Sequence, residues 1–168
     1  MDMKLRKLKV DDAPRMLEWM KDPEISRFFQ FDAAVVDLST VLAFINSAQD
    51  FSISRHYAVV DDTDTYIGTI SLKGIDTKHR NAEYAISMTK HAIGTGAALD
   101  ATTKLMNIAF EELNLHKVYL NVFSDNVRAI RFYEKFGFVR EGLSKDQVFV
   151  RGTFRDLYWY GYFNPKES

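Results

Sequence analysis

The chain has 168 residues, a formal net charge of −1, 46% hydrophobic and 27% charged residues, and no cysteine. That length suits one domain with a sizeable core and is too short for two. Near-neutral charge without a basic stripe argues against nucleic acid as the main partner, and no apolar run approaches the roughly eighteen residues of a membrane span. The absence of cysteine excludes disulfides, thiolate metal sites and any covalent cysteine intermediate. The opening Met1-Asp2-Met3-Lys4-Leu5-Arg6 lacks the apolar stretch of a signal peptide, and a cytoplasmic protein is expected.

Lys4 to Leu8 alternates like a strand. Asp11 or Asp12 then predicts the cap of a helix with Pro14 in its first turn and Met16, Leu17, Trp19 and Met20 as apolar positions. Asp22-Pro23-Glu24 repeats that start signal. The next helix is expected over Ser39 to Ala48, with Leu38, Leu42 and Ile45 on one side. Two strands follow, Arg55–Val60 and Tyr66–Lys73, joined by the polar turn Asp61-Asp62-Thr63-Asp64. Arg80–Met88 reads as a third, with Ala82, Tyr84, Ile86 and Met88 on one face and Glu83 on the other.

The segment His91-Ala92-Ile93-Gly94-Thr95-Gly96-Ala97-Ala98 comes next, immediately before an amphipathic helix. Leu99, Thr102, Thr103, Met106, Ala109, Phe110 and Leu113 recur at helical spacing and predict its core stripe. Glycines before a helix leave backbone N–H groups on an uncluttered surface at the positive end of the helix dipole, a place suited to a pyrophosphate. A dinucleotide fingerprint would need a third glycine at position 99, which is Leu99, and an acid ending the next strand; that strand ends in Phe123-Ser124.

Lys117–Val122 is a strand with Val118, Leu120 and Val122 on one face and Tyr119 and Asn121 on the other. Asp125 or Asn126 caps a short helix with Ala129, Ile130 and Tyr133 on one face, and Gly137 stops it before Phe138. Val139–Leu143, Gln147–Arg151 and Phe154–Phe163 are the closing strands, with Gly152 in a hairpin turn. The element order predicts an α/β fold with a mixed sheet and a single domain over residues 1–168.

Asn126, Ala129, Tyr133, Gly137 and Phe138 together resemble the Asn-x-x-Ala-x-x-x-Tyr-x-x-x-Gly-Phe signature of the GNAT superfamily, the acetyl-CoA-dependent N-acetyltransferases. The glycine segment resembles the family's Arg/Gln-x-x-Gly-x-Gly/Ala, with His91 in place of the first residue. The resemblance implies a mostly antiparallel sheet flanked by helices, with splayed central strands that admit the pantetheine arm of acetyl-CoA. Carried over, Ile93, Gly94, Thr95, Gly96, Ala97 and Ala98 form the pyrophosphate cradle, Asn126 bonds the pantetheine arm beside Ala129, and Tyr133 places its hydroxyl near the thioester sulfur. It also implies a carboxylate base acting on the amine acceptor, a role that falls on Glu83, often through an ordered water.

A phenol is a suitable donor to a departing thiolate, whereas Tyr133 in isolation would read as a packing residue. Glu83 in isolation would read as a strand residue paired with a base such as Arg80. No histidine pair has helical metal-ligand spacing, so no metal is expected. The acceptor pocket is expected from Trp19, Phe28, Phe29 and Phe31 with Tyr158, Tyr160 and Tyr162. The run Glu18 to Glu24 loosely resembles relatives that acetylate nucleotide-linked aminosugars or the N-termini of ribosomal proteins. A homodimer is an assembly common among relatives; nucleic acid and membrane are not expected partners.

Overall fold

The computed structural model describes residues 2–167. Seven strands form one sheet: β1 (Lys4–Lys7), β2 (Arg55–Val60), β3 (Tyr66–Asp76), β4 (Asn81–Met88), β5 (Lys117–Phe123), β6 (Val139–Val150) and β7 (Thr153–Phe163). Their spatial order is β1-β2-β3-β4-β5-β7-β6. Every neighbouring pair is antiparallel except β4 and β5. A parallel pair needs a long crossover, and the helix between these strands supplies it.

The helices are α1 (Ala13–Met20), α2 (Pro23–Ser26), α3 (Leu38–Ser47), α4 (Ala97–Asn107) and α5 (Val127–Phe136). They cover the two faces of the sheet with separate cores. Leu8, Met16, Trp19, Val41 and Ile45 pack with Ala58, Val60 and Tyr66 under α1 and α3. Ile70, Leu72, Ala82, Tyr84, Val118, Leu120 and Val122 pack with α4 and α5. The high aromatic content gathers chiefly on this second face, where Tyr84, Tyr133, Phe136, Phe138 and Tyr162 make mutual ring contacts.

Several local expectations change. Asp12 does not cap α1 with its side chain. It is buried and takes a two-pronged pair from the Arg6 guanidinium, 2.9 Å at each oxygen, plus the Lys9 N–H. In α3 the buried positions are Val41 and Ile45, while Leu38 is exposed because it opens the helix at its solvent end. In α4 the buried stripe is Ala97, Ala101, Thr102, Leu105 and Met106, continued by Ala109. Leu99 and Thr103 point outward, since alanine lets the helix sit close to the sheet along the Ala97–Ala101 line. Val139–Leu143 and Gln147–Arg151 merge into the single strand β6, whose register shifts twice against β7. The extra residues are absorbed as bulges rather than as a break.

One feature of the sheet positions everything else. Pairing between β4 and β5 is confined to Asn81–Lys117, Ala82–Val118 and Glu83–Tyr119. Beyond that point β4 stays paired to β3 as far as Met88 and β5 to β7 as far as Phe123. The sheet therefore parts between Tyr84–Met88 and 120–123, leaving inward-facing ladder groups on both strands without a strand partner. Such groups are obligatory donors and acceptors, and an extended ligand can satisfy them as an added strand would.

Candidate active site

At the end of β4 the chain turns through Lys90–Ala92 into the glycine segment. Gly94 and Gly96 have φ of 82° and 84°, backbone that L side chains rarely adopt. A Cβ at either would find no atom within 4 Å, so the ground above the segment is open. Its amides divide by position. Ile93, Thr95 and Ala97 donate to Lys90, Ala92 and the Thr95 hydroxyl, whereas the N–H groups of Gly94, Gly96, Ala98 and Leu99 meet no acceptor among the described residues. Three of the six residues expected in the cradle thus offer free donors, joined by Leu99, and all lie at the N-terminus of the eleven-residue α4. That set fits a phosphate or pyrophosphate. His91 is exposed beside it and has no hydrogen bond or ion pair among the described residues.

α5 begins where Asn126 accepts the Ala129 N–H at 3.4 Å, while Asp125 is drawn off to Arg155. It ends where Gly137, at φ 121°, and Phe138 both return their N–H groups to the Tyr133 carbonyl. These two stops hold Tyr133 edge-on to Tyr84, centroids 5.8 Å apart at 90°. The two tyrosines are chemically unequal. The Tyr84 hydroxyl is satisfied by Thr102 at 2.9 Å. The Tyr133 hydroxyl has no partner among the described residues, although its ring is only 8% exposed. Among those residues the one fully buried side-chain polar atom without a partner is Arg55 Nε, so the Tyr133 oxygen reaches accessible space. Burial drives its pKa well above the ordinary 10, and it remains a protonated donor across the range in which enzymes work.

Glu83 leaves β4 on the opposite face, at the last paired position before the strands part. Its carboxylate meets Lys73 Nζ at 3.3 Å and Asn121 Nδ2 at 3.3 Å. Arg80, its expected partner, is turned away to Glu167 and Asn114. Asn121 in turn accepts a 2.5 Å hydrogen bond from Gln30, so the carboxylate is tied to the segment after α2.

On that face a cavity of about 320 Å³, open to solvent, lies between α1, α3 and the sheet. Its floor is formed by cross-strand partners, Thr69 opposite Ser87 and Ser71 opposite Ala85, and the next pair along the same register is Lys73–Glu83. Ala85–Ser87 belong to the stretch of β4 that lacks a β5 partner, so the cavity abuts the parting. Trp19, Phe29 and Phe31 line its wall, as the sequence suggested. Phe28 does not; it packs beside Phe123, Val150 and Leu157. Tyr158, Tyr160 and Tyr162 belong to the other face, because their alternate positions on β7 point toward α4 and α5. Of the two histidines that the sequence leaves unassigned, His56 and His79, His56 lies on this face: its Nδ1 is 2.7 Å from the hydroxyl of the floor residue Ser71 and its ring 4.9 Å from that of Phe44 in α3. Burial, then the Lys73 charge, lowers its pKa below the ordinary 6.5. The signal was available only as strand register, His56 opposite Ser71. His116 makes a surface pair with Glu167.

A parted parallel pair, an open amide cradle at one end and an unpaired buried phenol beside it coincide with what comparison with known proteins returns. The family model for the acetyltransferase (GNAT) domain matches residues 2–139. The chain belongs to the GNAT acetyltransferase family. It is 28% identical over 160 residues to the uncharacterized N-acetyltransferase p20 of Bacillus licheniformis, covering 93% of this chain and 89% of that one. It is 31% identical over 156 residues to the spermidine N(1)-acetyltransferase of Escherichia coli K12, covering 92% and 82%. The crystal structure of spermidine N-acetyltransferase from Vibrio cholerae in complex with CoA and spermine superposes with a TM-score of 0.87 at 26% identity, over 96% of this chain and 95% of that one. As a GNAT N-acetyltransferase the protein uses acetyl-CoA as acyl donor and acetylates an amine. Among the described residues no group of three His, Cys, Asp or Glu side chains is placed to hold a metal ion.

Proposed function

We propose that acetyl-CoA lies along the β4–β5 parting and that a primary amine, entering from the α1–α3 cavity, attacks its thioester directly. The observation that carries this reading is the meeting of cavity and parting at Ala85–Ser87. In this reading the free N–H groups of the Ile93–Ala98 segment hold the pyrophosphate, and Asn126 and Ala129 flank the pantetheine arm. The amine nitrogen bonds to the acetyl carbon and the carbon–sulfur bond breaks. Tyr133 gives its hydroxyl proton to the departing thiolate. Glu83, through water, takes the proton lost by the amine. Tyr133 and Glu83 do not touch and need not, since they address opposite sides of the same gap. Holding both reactants in one site removes much of the entropic barrier. An absence of cysteine agrees with direct transfer.

Residues 1–168 would then form one transferase domain working in the cytoplasm, with a homodimer as its expected assembly. The acceptor is a primary amine of a small molecule or of a protein N-terminus. Nucleotide-linked aminosugars and ribosomal-protein N-termini follow from the Glu18–Glu24 resemblance, and spermidine from the relatives. Thiol release from acetyl-CoA against a panel of these amines tests the reading; release that depends on one of them supports it. Silence across the panel, with acetyl-CoA bound, favours the alternative of a non-catalytic acyl-CoA-binding module.

A further inference from the structure

The cavity wall carries a feature that the transfer chemistry does not use. Phe29 and Phe31 stack at 4.9 Å and 16°, and Trp19 meets Phe29 edge-on at 5.5 Å. Phe31 is 47% exposed, so the pair forms an aromatic lip at the cavity mouth. The lip is held from two directions. Arg151, at the tip of the β6–β7 hairpin, donates to the carbonyls of Arg27, Phe29 and Phe31 at 2.6, 3.0 and 3.3 Å. Gln30 reaches inward to Asn121, and through it to Glu83. A loop tied this way keeps its two rings in place before any ligand arrives, which favours binding by reducing the ordering cost.

The cavity is equally informative in what its lining lacks. Its polar groups are the Trp19 indole N–H, donated to Tyr66, and the neutral hydroxyls of Thr40, Thr69, Ser71 and Ser87, and among the described residues no Asp or Glu lines it. Glu83, beyond the floor, already faces the Lys73 ammonium. A polyamine would bring further ammonium groups into apolar surroundings with no lining carboxylate to meet them, Asp37 at the start of α3 being already bonded to Ser39 and Thr40, at considerable cost. Attraction of such a cation to the face of an exposed phenylalanine is worth only a few-fold in affinity and does not make up the difference.

Resting on the transferase reading above, we infer that the acceptor is a primary monoamine whose body carries a planar ring, an aryl group or a nucleobase, which stacks on the Phe29–Phe31 lip. Arg151 is the positioning residue for that lip. The experiment is thiol release by the full chain with 2-phenylethylamine, n-butylamine, spermidine and a nucleotide-linked aminosugar, each compared by kcat/KM. A ring-bearing monoamine should exceed both n-butylamine and spermidine by about tenfold, a preference of ~1.4 kcal/mol. Whichever ring-bearing amine leads identifies the source of the ring. Phe31→Ala should bring the ratio of ring-bearing to ring-free amine close to one by raising KM for the former. Arg151→Met should move the ratio the same way, and Arg151→Lys should recover part of it. Spermidine equal to or better than the ring-bearing amines, or a ratio untouched by Phe31→Ala, would overturn the inference while leaving the transferase reading intact. Silence with every amine, with acetyl-CoA binding demonstrated by calorimetry, would overturn both.

Discussion

The two faces of the β4–β5 parting are built on different principles. On the α4–α5 face the chemistry is offered by backbone: free amides at Gly94, Gly96, Ala98 and Leu99, ladder groups left open by the parted strands, and one phenol held by a short capped helix. On the α1–α3 face it is offered by side chains from α1, the segment between α2 and α3, α3, β3 and β4, brought together only by the fold. Backbone geometry recognises whatever shares a phosphate and an extended arm. Side chains from distant segments can be exchanged one at a time without disturbing the fold. One face thus suits an invariant donor and the other a changeable acceptor.

The contrast can be broken most severely at Tyr133. Tyr133→Phe should lower kcat by about 10²–10⁴, the range expected for loss of a general acid, while calorimetric affinity for acetyl-CoA stays within about twofold of the parent, as a contact confined to the transition state requires. A kcat unchanged at saturating substrate would remove Tyr133 from the chemistry. On the other face, Glu83→Gln should cost about 10² in kcat/KM, since a general base is lost. That deficit should narrow as pH rises toward the pKa of the amine, where free base is supplied by solution; a pH-independent deficit would point to a packing role instead.

Gly96→Val separates binding from chemistry on the donor face. The substituted Cβ meets no protein atom but stands in the open ground above α4. The expected result is a rise in the acetyl-CoA Kd of roughly tenfold, together with a stability loss of about 1–2 kcal/mol from the left-handed backbone, read by calorimetry and thermal melting. Unaltered affinity would place the donor elsewhere. The smallest effect belongs to His56, on the cavity side of the sheet beside Ser71 and Phe44. Its folded pKa lies below 6.5, so the unfolded chain takes up the proton first. Its contribution is complete above about pH 6.5 and declines as pH falls through the lowered folded value. His56→Gln should flatten the melting temperature over that interval; an equally steep profile would assign the dependence to other groups.

What could be read from the chain follows the same division. The arrangement on the α4–α5 face was legible because its residues are close in sequence and their geometry is local. Gly94 and Gly96 precede α4 directly, and Asn126, Ala129, Tyr133 and Gly137 lie within one helix and its caps. The parting of β4 from β5 was legible only through family resemblance, since nothing in Tyr84–Met88 announces that its partner stops at Glu83. The lining of the α1–α3 cavity was partly legible. Trp19, Phe29 and Phe31 stood out as aromatics, but the same criterion drew in Tyr158, Tyr160 and Tyr162, whose face depends on strand parity after two bulges in the neighbouring strand. The Arg151 clamp and the Gln30–Asn121–Glu83 chain join residues 38 to 124 positions apart, and no periodicity reports contacts of that kind. The α4 stripe was displaced for a different reason. Large residues were favoured over alanine, yet close packing on the sheet selected Ala97 and Ala101.

The central claim is that donor and acceptor are bound together across the parting. Initial rates of thiol release, measured while acetyl-CoA and a primary monoamine are varied against each other, test it directly. The account predicts amine-dependent release with intersecting double-reciprocal lines, the pattern of a ternary complex. Parallel lines, signifying an acetylated protein intermediate, would contradict it, as would amine-independent release.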